Sequence, residues 1–232
     1  MMATTYYRSL LSPSEQGVYK AVVAGLLNRR ESIYIKQSDA QIESIRKIVN
    51  AVHLDHPELF YVDFWHYQLT QSLLPCGMFL HFRMMLDQEP SIAVMNSLNV
   101  KATSMQETAR RKSSQEEIYF LIAKEIATTT KYVDSNSAFW EHTVAAVLSH
   151  RAVCEGIAKM FLFLCQRIGN IPCAVITGTS NGVPHAWNMI ELNGVRKYID
   201  VTSVLQTISL YTLVPAALFK SEQALRRSGY DW

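Results

Sequence analysis

An α+β fold is what this sequence predicts, on three observations. Nine glycines and seven prolines among 232 residues fall well below the roughly 12% of ordinary usage. That leaves too few turn residues for an all-β chain and assigns much of the mass to helices. Apolar residues recur at helical spacing in several segments, above all Ile157, Ala158, Phe161, Leu162, Leu164, Cys165 and Ile168. Asn193-Gly194, between two β-branched and apolar runs, is the strongest short-range signal for an antiparallel hairpin.

The elements follow in order. Ser12-Pro13-Ser14-Glu15 combines an N-cap serine, a proline at the first helical position and a carboxylate that can reach back, so a helix starts there. Val18, Ala21, Val22, Gly25 and Leu26 give it an apolar face, and it ends near Asn28 to Arg30. A second helix starts at Ser38, carries Ile42, Ile45, Ile48, Val49 and Val52, and stops before Pro57. Two strands cover Phe60 to Trp65 and Met78 to Phe82, around the Pro75-Cys76-Gly77 break. Met84, Met85 and Met95 sit in mixed apolar runs that read as core filling. Helical spacing returns from Ser114 to Thr130 behind a cap-like Ser114-Gln115-Glu116-Glu117.

Behind Cys154 the long apolar helix runs to Gly169-Asn170, where a left-handed cap is expected. Pro172 to Thr177 reads as a strand and Gly178 to Pro184 as a loop; His185 to Leu192 and Val195 to Thr202 form the hairpin. Residues 1–110 are therefore expected as a helix-and-strand extension packed on a core of residues 111–232, with no linker between them.

Lys and Arg number 22 against 20 Asp and Glu, a formal charge of +2, and no basic stripe is present beyond Arg110-Arg111-Lys112, so no nucleic-acid partner is expected. Apolar runs such as Ala21 to Leu27 and Met160 to Cys165 are far shorter than the ~20 residues of a membrane span. Met1 to Arg8 lacks the layout of a secretory signal, which predicts a cytoplasmic protein with reduced thiols. Cys76, Cys154, Cys165 and Cys173 have neither the density of a disulfide scaffold nor paired zinc spacing. A metal site built from His142, His150 and Cys154 is the chemical rival, but no H-E-x-x-H or paired-cysteine pattern supports it, so no metal is expected.

A two-residue turn at Asn193-Gly194 pairs Leu192 with Val195, so every cross-strand pair has residue numbers summing to 387. Trp187 then opposes Asp200, and His185 and Asp200 become diagonal neighbours on one face, roughly 7–8 Å apart at the backbone. Cys154 falls at a helix N-terminus, where the oriented amides favour a thiolate. Gly156, without a side chain, would let a substrate backbone come close. A cysteine, a histidine and an aspartate so arranged supply a nucleophile, a proton shuttle and an orienting carboxylate.

Val153-Cys154-Glu155-Gly156, Ile168-Gly169-Asn170-Ile171-Pro172, His185-Ala186-Trp187-Asn188 and Tyr198-Ile199-Asp200-Val201-Thr202 arrive in an order that resembles the transglutaminase-like superfamily of papain-like cysteine folds, including its bacterial members. The resemblance implies a nucleophile helix packed on an antiparallel sheet, with Cys154, His185 and Asp200 as the catalytic triad. The sequence has no acidic loop of the calcium-binding kind, so the calcium dependence of animal transglutaminases is not carried over and no cofactor is expected. The resemblance also implies an oxyanion donor upstream of the cysteine, for which Trp140, Tyr132 and Asn136 stand as candidates. Trp187 is expected to pack beside His185 and shape the groove. Ala152, Ile157 and Ser203-Val204 depart from the family pattern, the last of these where the groove would be shaped. The implied activity is a thiol-dependent hydrolase or acyl transferase acting on peptide or side-chain amides, nearer a protease or amidase than a cross-linker. The competing expectation is a peptide-binding or scaffold protein that keeps the fold without turnover.

Overall fold

Residues 5–36, 41–73, 76–133, 138–169, 171–207 and 218–232 are described by a computed structural model. They gather into two compact units, residues 5–94 and 95–232.

In the first unit a short helix, α1 (Tyr6–Ser9), precedes α2 (Pro13–Leu27). The Ser12 signal works as its chemistry suggests. Its hydroxyl accepts the Glu15 N–H at 3.4 Å, and the Glu15 carboxylate accepts the Ser12 N–H at 2.7 Å. That backbone donor, aided by Lys47 and outweighing burial, holds the Glu15 carboxyl down at about 2. Ser12→Ala should cost about 1 kcal/mol in urea unfolding, and Ser12→Asp should restore most of it.

β1 (Ser32–Lys36), α3 (Ile42–Asp55), β2 (Val62–Ser72) and β3 (Gly77–Met84) follow, with the strands ordered β1-β3-β2 and antiparallel. The expected start of α3 at Ser38, like Pro75 of the expected break, lies outside the described residues. Of the predicted stripe, Ile45, Ile48, Val49 and Val52 are buried, whereas Ile42, at the first helical position, is exposed. Asp55, at the end of α3, accepts the Tyr7 and Arg8 N–H groups and the Tyr19 hydroxyl. Burial pushes its carboxyl up against the pull of those bonds.

The helix α4 (Gln88–Ala109) was not expected. Its buried stripe, Leu98, Ala102, Met105 and Ala109, has helical spacing, but two alanines give it little hydrophobic contrast.

The second unit continues with α5 (Gln115–Thr129), capped by Ser114, and β4 (Lys131–Tyr132). After a 3-10 turn at Phe139–His142 come α6 (Ala146–Ser149), β5 (Arg151–Ala152) and α7 (Cys154–Ile168). Then follow β6 (Cys173–Ser180), β7 (Val183–Leu192), β8 (Val195–Ile199), α8 (Val201–Thr207), α9 (Glu222–Arg227) and β9 (Tyr230–Asp231). The sheet order is β8-β7-β6-β9, antiparallel throughout. Helix α7 packs on β6 and β7 and is buried from Gly156 to Cys165. Phe161 and Phe163, both within 1% of full burial, each contribute on the order of 2 kcal/mol from the apolar area they remove from water.

Three expectations need correction. The loop expected over 178–184 is a two-residue turn, Asn181-Gly182, with both residues at positive φ and Ser180 opposite Val183. Gly178 belongs to the strand because a Cβ there would lie 2.0 Å from the Asp231 carbonyl oxygen, so glycine admits the neighbouring strand. The last hairpin strand ends at Ile199 instead of Thr202, since Asp200 caps a helix. Finally, α7 ends on Gly169 at φ −158, without a left-handed residue there, and Asn170 is outside the described residues.

Candidate active site

Cys154 opens α7, with Val153 extended before it. The Val153 N–H donates to the Glu141 carbonyl at 3.0 Å, which ties the start of the helix to the preceding 3-10 turn. Cys154 is partly exposed whereas Cys165 and Cys173 are buried, and burial pushes the Cys165 thiol up. The thiol thus lies at the N-terminal, partially positive end of a 15-residue helix.

His185 stands in β7 opposite Gly178, beyond the last β7–β8 pair, Asn188 with Ile199. All five of those pairs keep the predicted sum of 387, from Leu192 and Val195 onward. The predicted Trp187–Asp200 pair does not form, because the chain turns into α8 at Asp200. That turn has a local cause: Asp200 Oδ1 accepts the Ser203 N–H at 3.1 Å, an N-cap bond. The second carboxylate oxygen is thereby left for His185, whose Nε2 meets Asp200 Oδ2 at 2.9 Å.

The Cys154 side chain is a second group that acts on His185 and raises its pKa. Burial of the ring would lower its pKa, but the Asp200 and Cys154 interactions outweigh it and push the imidazole up to about 9. The ring is therefore an imidazolium at neutral pH, bonded to a buried carboxylate and acted on by the partly exposed Cys154. Such an arrangement can hold a thiolate and deliver a proton next to it.

Asn188 supplies the registration between these elements. Its buried amide donates to the Ala158 carbonyl of α7 at 2.9 Å and the Ala174 carbonyl of β6 at 3.4 Å. It thereby couples the cysteine helix to the histidine strand. Sequence reasoning quoted Asn188 without giving it a role; its signal was a polar residue on an inward-facing strand position.

The other candidates divide. Trp187 is 1% exposed and stacks on His185, with centroids 5.9 Å apart at 24°, so it backs the ring from inside and does not line an open groove. Gly156 is also corrected. A Cβ there would lie 2.2 Å from the Glu141 carbonyl oxygen, so the missing side chain serves the protein's own backbone and not an approaching substrate. Tyr132 pairs with Ala152, two residues ahead of Cys154, and Trp140 lies in the turn that receives the Val153 N–H. Both chain segments thus run beside the start of α7. Asn136 lies outside the described residues.

His142 and His150 do not gather round Cys154. His142 Nδ1 faces Glu155 at 3.3 Å and His150 Nδ1 faces the Thr129 carbonyl at 2.9 Å. Among the described residues no group of three or more His, Cys, Asp or Glu could hold a metal ion, and no helix is long and apolar enough to cross a membrane. Tyr230 was missed altogether: its hydroxyl reaches Asp200 Oδ2 at 2.5 Å.

Residues 102–201, which contain Cys154, His185 and Asp200, match the sequence pattern of the Transglutaminase-like superfamily. Among solved structures the chain is similar to a TGase, at 17% identity over 77% of this chain and 51% of that one, with a TM-score of 0.41. It is also similar to a protein from Cytophaga hutchinsonii described as a candidate cysteine protease. There the identity is 13% over 67% of this chain and 64% of that one, with a TM-score of 0.37. The chain thus spans about half the length of the TGase. No curated protein matches the sequence.

Proposed function

We propose, from the premise that residues 102–201 make this chain a member of the transglutaminase-like superfamily, that it is a thiol-dependent hydrolase of peptide or side-chain amide bonds. Acyl transfer to an amine is the variant outcome of the same chemistry. We take residues 111–232 as the catalytic core and residues 1–110 as an N-terminal extension. One observation carries the reading: His185 is bonded to the buried Asp200 carboxylate, and a partly exposed cysteine at a helix start is the other group that raises its pKa.

In this mechanism the Cys154 thiolate attacks the amide carbonyl carbon and a C–S bond forms. Negative charge collects on the carbonyl oxygen, near the N–H groups at the start of α7. His185 gives its Nδ1 proton to the amide nitrogen as the C–N bond breaks, which releases an amine or ammonia and leaves a thioester. The neutral imidazole then takes a proton from water as that water attacks the thioester. Collapse releases a carboxylic acid and regenerates the thiolate–imidazolium pair. Asp200 keeps Nε2 protonated throughout, so Nδ1 is the nitrogen that exchanges protons.

The test incubates the full chain with a mixture of random peptides and glutamine-containing proteins, and measures new amino termini and released ammonia. The wild type should produce one or both, Cys154→Ala should produce neither, and His185→Ala should lose on the order of 10²- to 10⁴-fold in rate. Absence of turnover together with absence of a hydroxylamine-releasable acyl group on Cys154 would overturn this reading in favour of a peptide-binding protein.

A further inference from the structure

Tyr230 has no part in the mechanism above, yet the sheet delivers it to the site. β9 pairs with the end of β6, Tyr230 opposite Ser180 and Asp231 opposite Thr179. The Asn181 N–H donates to the Gly229 carbonyl at 2.8 Å. Arg226 donates to Glu222 and to Asp231, both at 3.0 Å, which ties the strand to α9. So held, the Tyr230 ring stands edge-on to His185 (5.9 Å, 69°) and to Trp187 (5.2 Å, 88°).

From that seat the phenol donates to Asp200 Oδ2 at 2.5 Å, the same oxygen that His185 Nε2 meets at 2.9 Å. The remaining oxygen, Oδ1, is occupied by the Ser203 N–H at 3.1 Å. A carboxylate turns about a broad, soft torsion, and a single cap bond on one oxygen leaves that rotation weakly constrained. A second donor on the other oxygen, carried by a ring that is itself packed, defines the plane. Burial and the neighbouring Asp200 charge push the Tyr230 phenol up, so it remains a donor across the range in which the thiol chemistry would run.

We propose that Tyr230 is a positioning residue: its hydroxyl holds the Asp200 carboxylate in the one orientation that seats the His185 ring, so the C-terminal strand completes the site. The inference rests on the functional reading above only in calling that site catalytic; the positioning itself concerns His185 and Asp200. The groups facing the imidazole are Asp200, Cys154 and the rings of Tyr230 and Trp187.

Tyr230→Phe removes the hydroxyl and keeps the ring. In the full chain, the His185 ring is followed by NMR against pH, and iodoacetamide alkylation of Cys154 by mass spectrometry, with Asp200→Asn as the reference for complete loss of the carboxylate. For Tyr230→Phe, the His185 midpoint should fall from about 9 toward the ~6.5 of a free imidazole. Alkylation at pH 7 should slow about tenfold, the worth of one hydrogen bond to a charged group, while the protein remains cooperatively folded. An unchanged His185 midpoint in a folded Tyr230→Phe protein would overturn the proposal. So would a rise, which would make the phenol a competitor for the carboxylate. Removal of residues 229–232 should reproduce the Tyr230→Phe midpoint, and a wild-type midpoint there would also overturn it. If wild-type alkylation proves indifferent to His185→Ala, the catalytic reading fails, and the NMR midpoint still decides the role of Tyr230 by itself.

Discussion

His185→Ala should slow alkylation of Cys154 at pH 6 by about a hundredfold, the difference between a thiol paired with an imidazolium and an isolated one. The His185 imidazolium is the cation that interacts with Cys154, and Asp200 keeps it protonated, with a midpoint of about 9. At pH 6 the wild-type ring is therefore almost wholly charged. Without it, only the helix amides favour sulfur's negative charge, and a helix terminus is worth about 0.3–1 kcal/mol at an exposed site. Mass spectrometry resolves Cys154 from the buried Cys165 and Cys173 and from the exposed Cys76, which serves as an internal reference. Equal rates in wild type and His185→Ala would mean that the contact carries no charge, and the proposed nucleophile would lose its activation.

A second large effect is a loss of stability as pH rises from about 6.5 to about 9. His185 has its folded pKa raised to about 9 from an unfolded value of about 6.5, so the folded state binds the proton more tightly. The resulting stabilisation is fully present below about 6.5 and disappears as pH climbs through 9. A displacement of that size is about 3 kcal/mol, and solvent reaching the open edge of the ring reduces it to about 2 kcal/mol. Urea unfolding of wild type and His185→Gln across this range gives a difference curve that isolates the contribution. That curve should fall by about 2 kcal/mol with rising pH; a flat one would show that the pair with Asp200 is as loose as a surface contact.

Local chemistry accounts for what could be read in advance. Ser12 and Ser114 cap helices because their hydroxyls bond to amides three residues away, within the reach of the sequence itself. Asn193 and Gly194 adopt φ of 52 and 76, and this turn sets the register of β7 on β8 down to Asn188 and Ile199. The segment 178–184 was misread for the same reason: Gly178, Gly182 and Pro184 punctuate it like a loop. Gly178 is in fact a contact surface for Asp231, more than 50 residues along the chain. Helix α4 escaped notice because alanines carry half of its buried stripe.

By itself, then, the sequence determines the α+β class, the cysteine at a helix start and the histidine-bearing hairpin with its register, since each depends on residues within a turn or a strand of one another. Only the tertiary structure decides that the Asp200 oxygen left over from the α8 cap meets His185, and that Tyr230 arrives from β9 to share it. It likewise decides that Gly156 faces Glu141. The physical reason is common to all three: each is a contact between residues well separated along the chain, made by how the elements pack, and local spacing carries no record of which distant group will occupy a given oxygen or a given missing side chain.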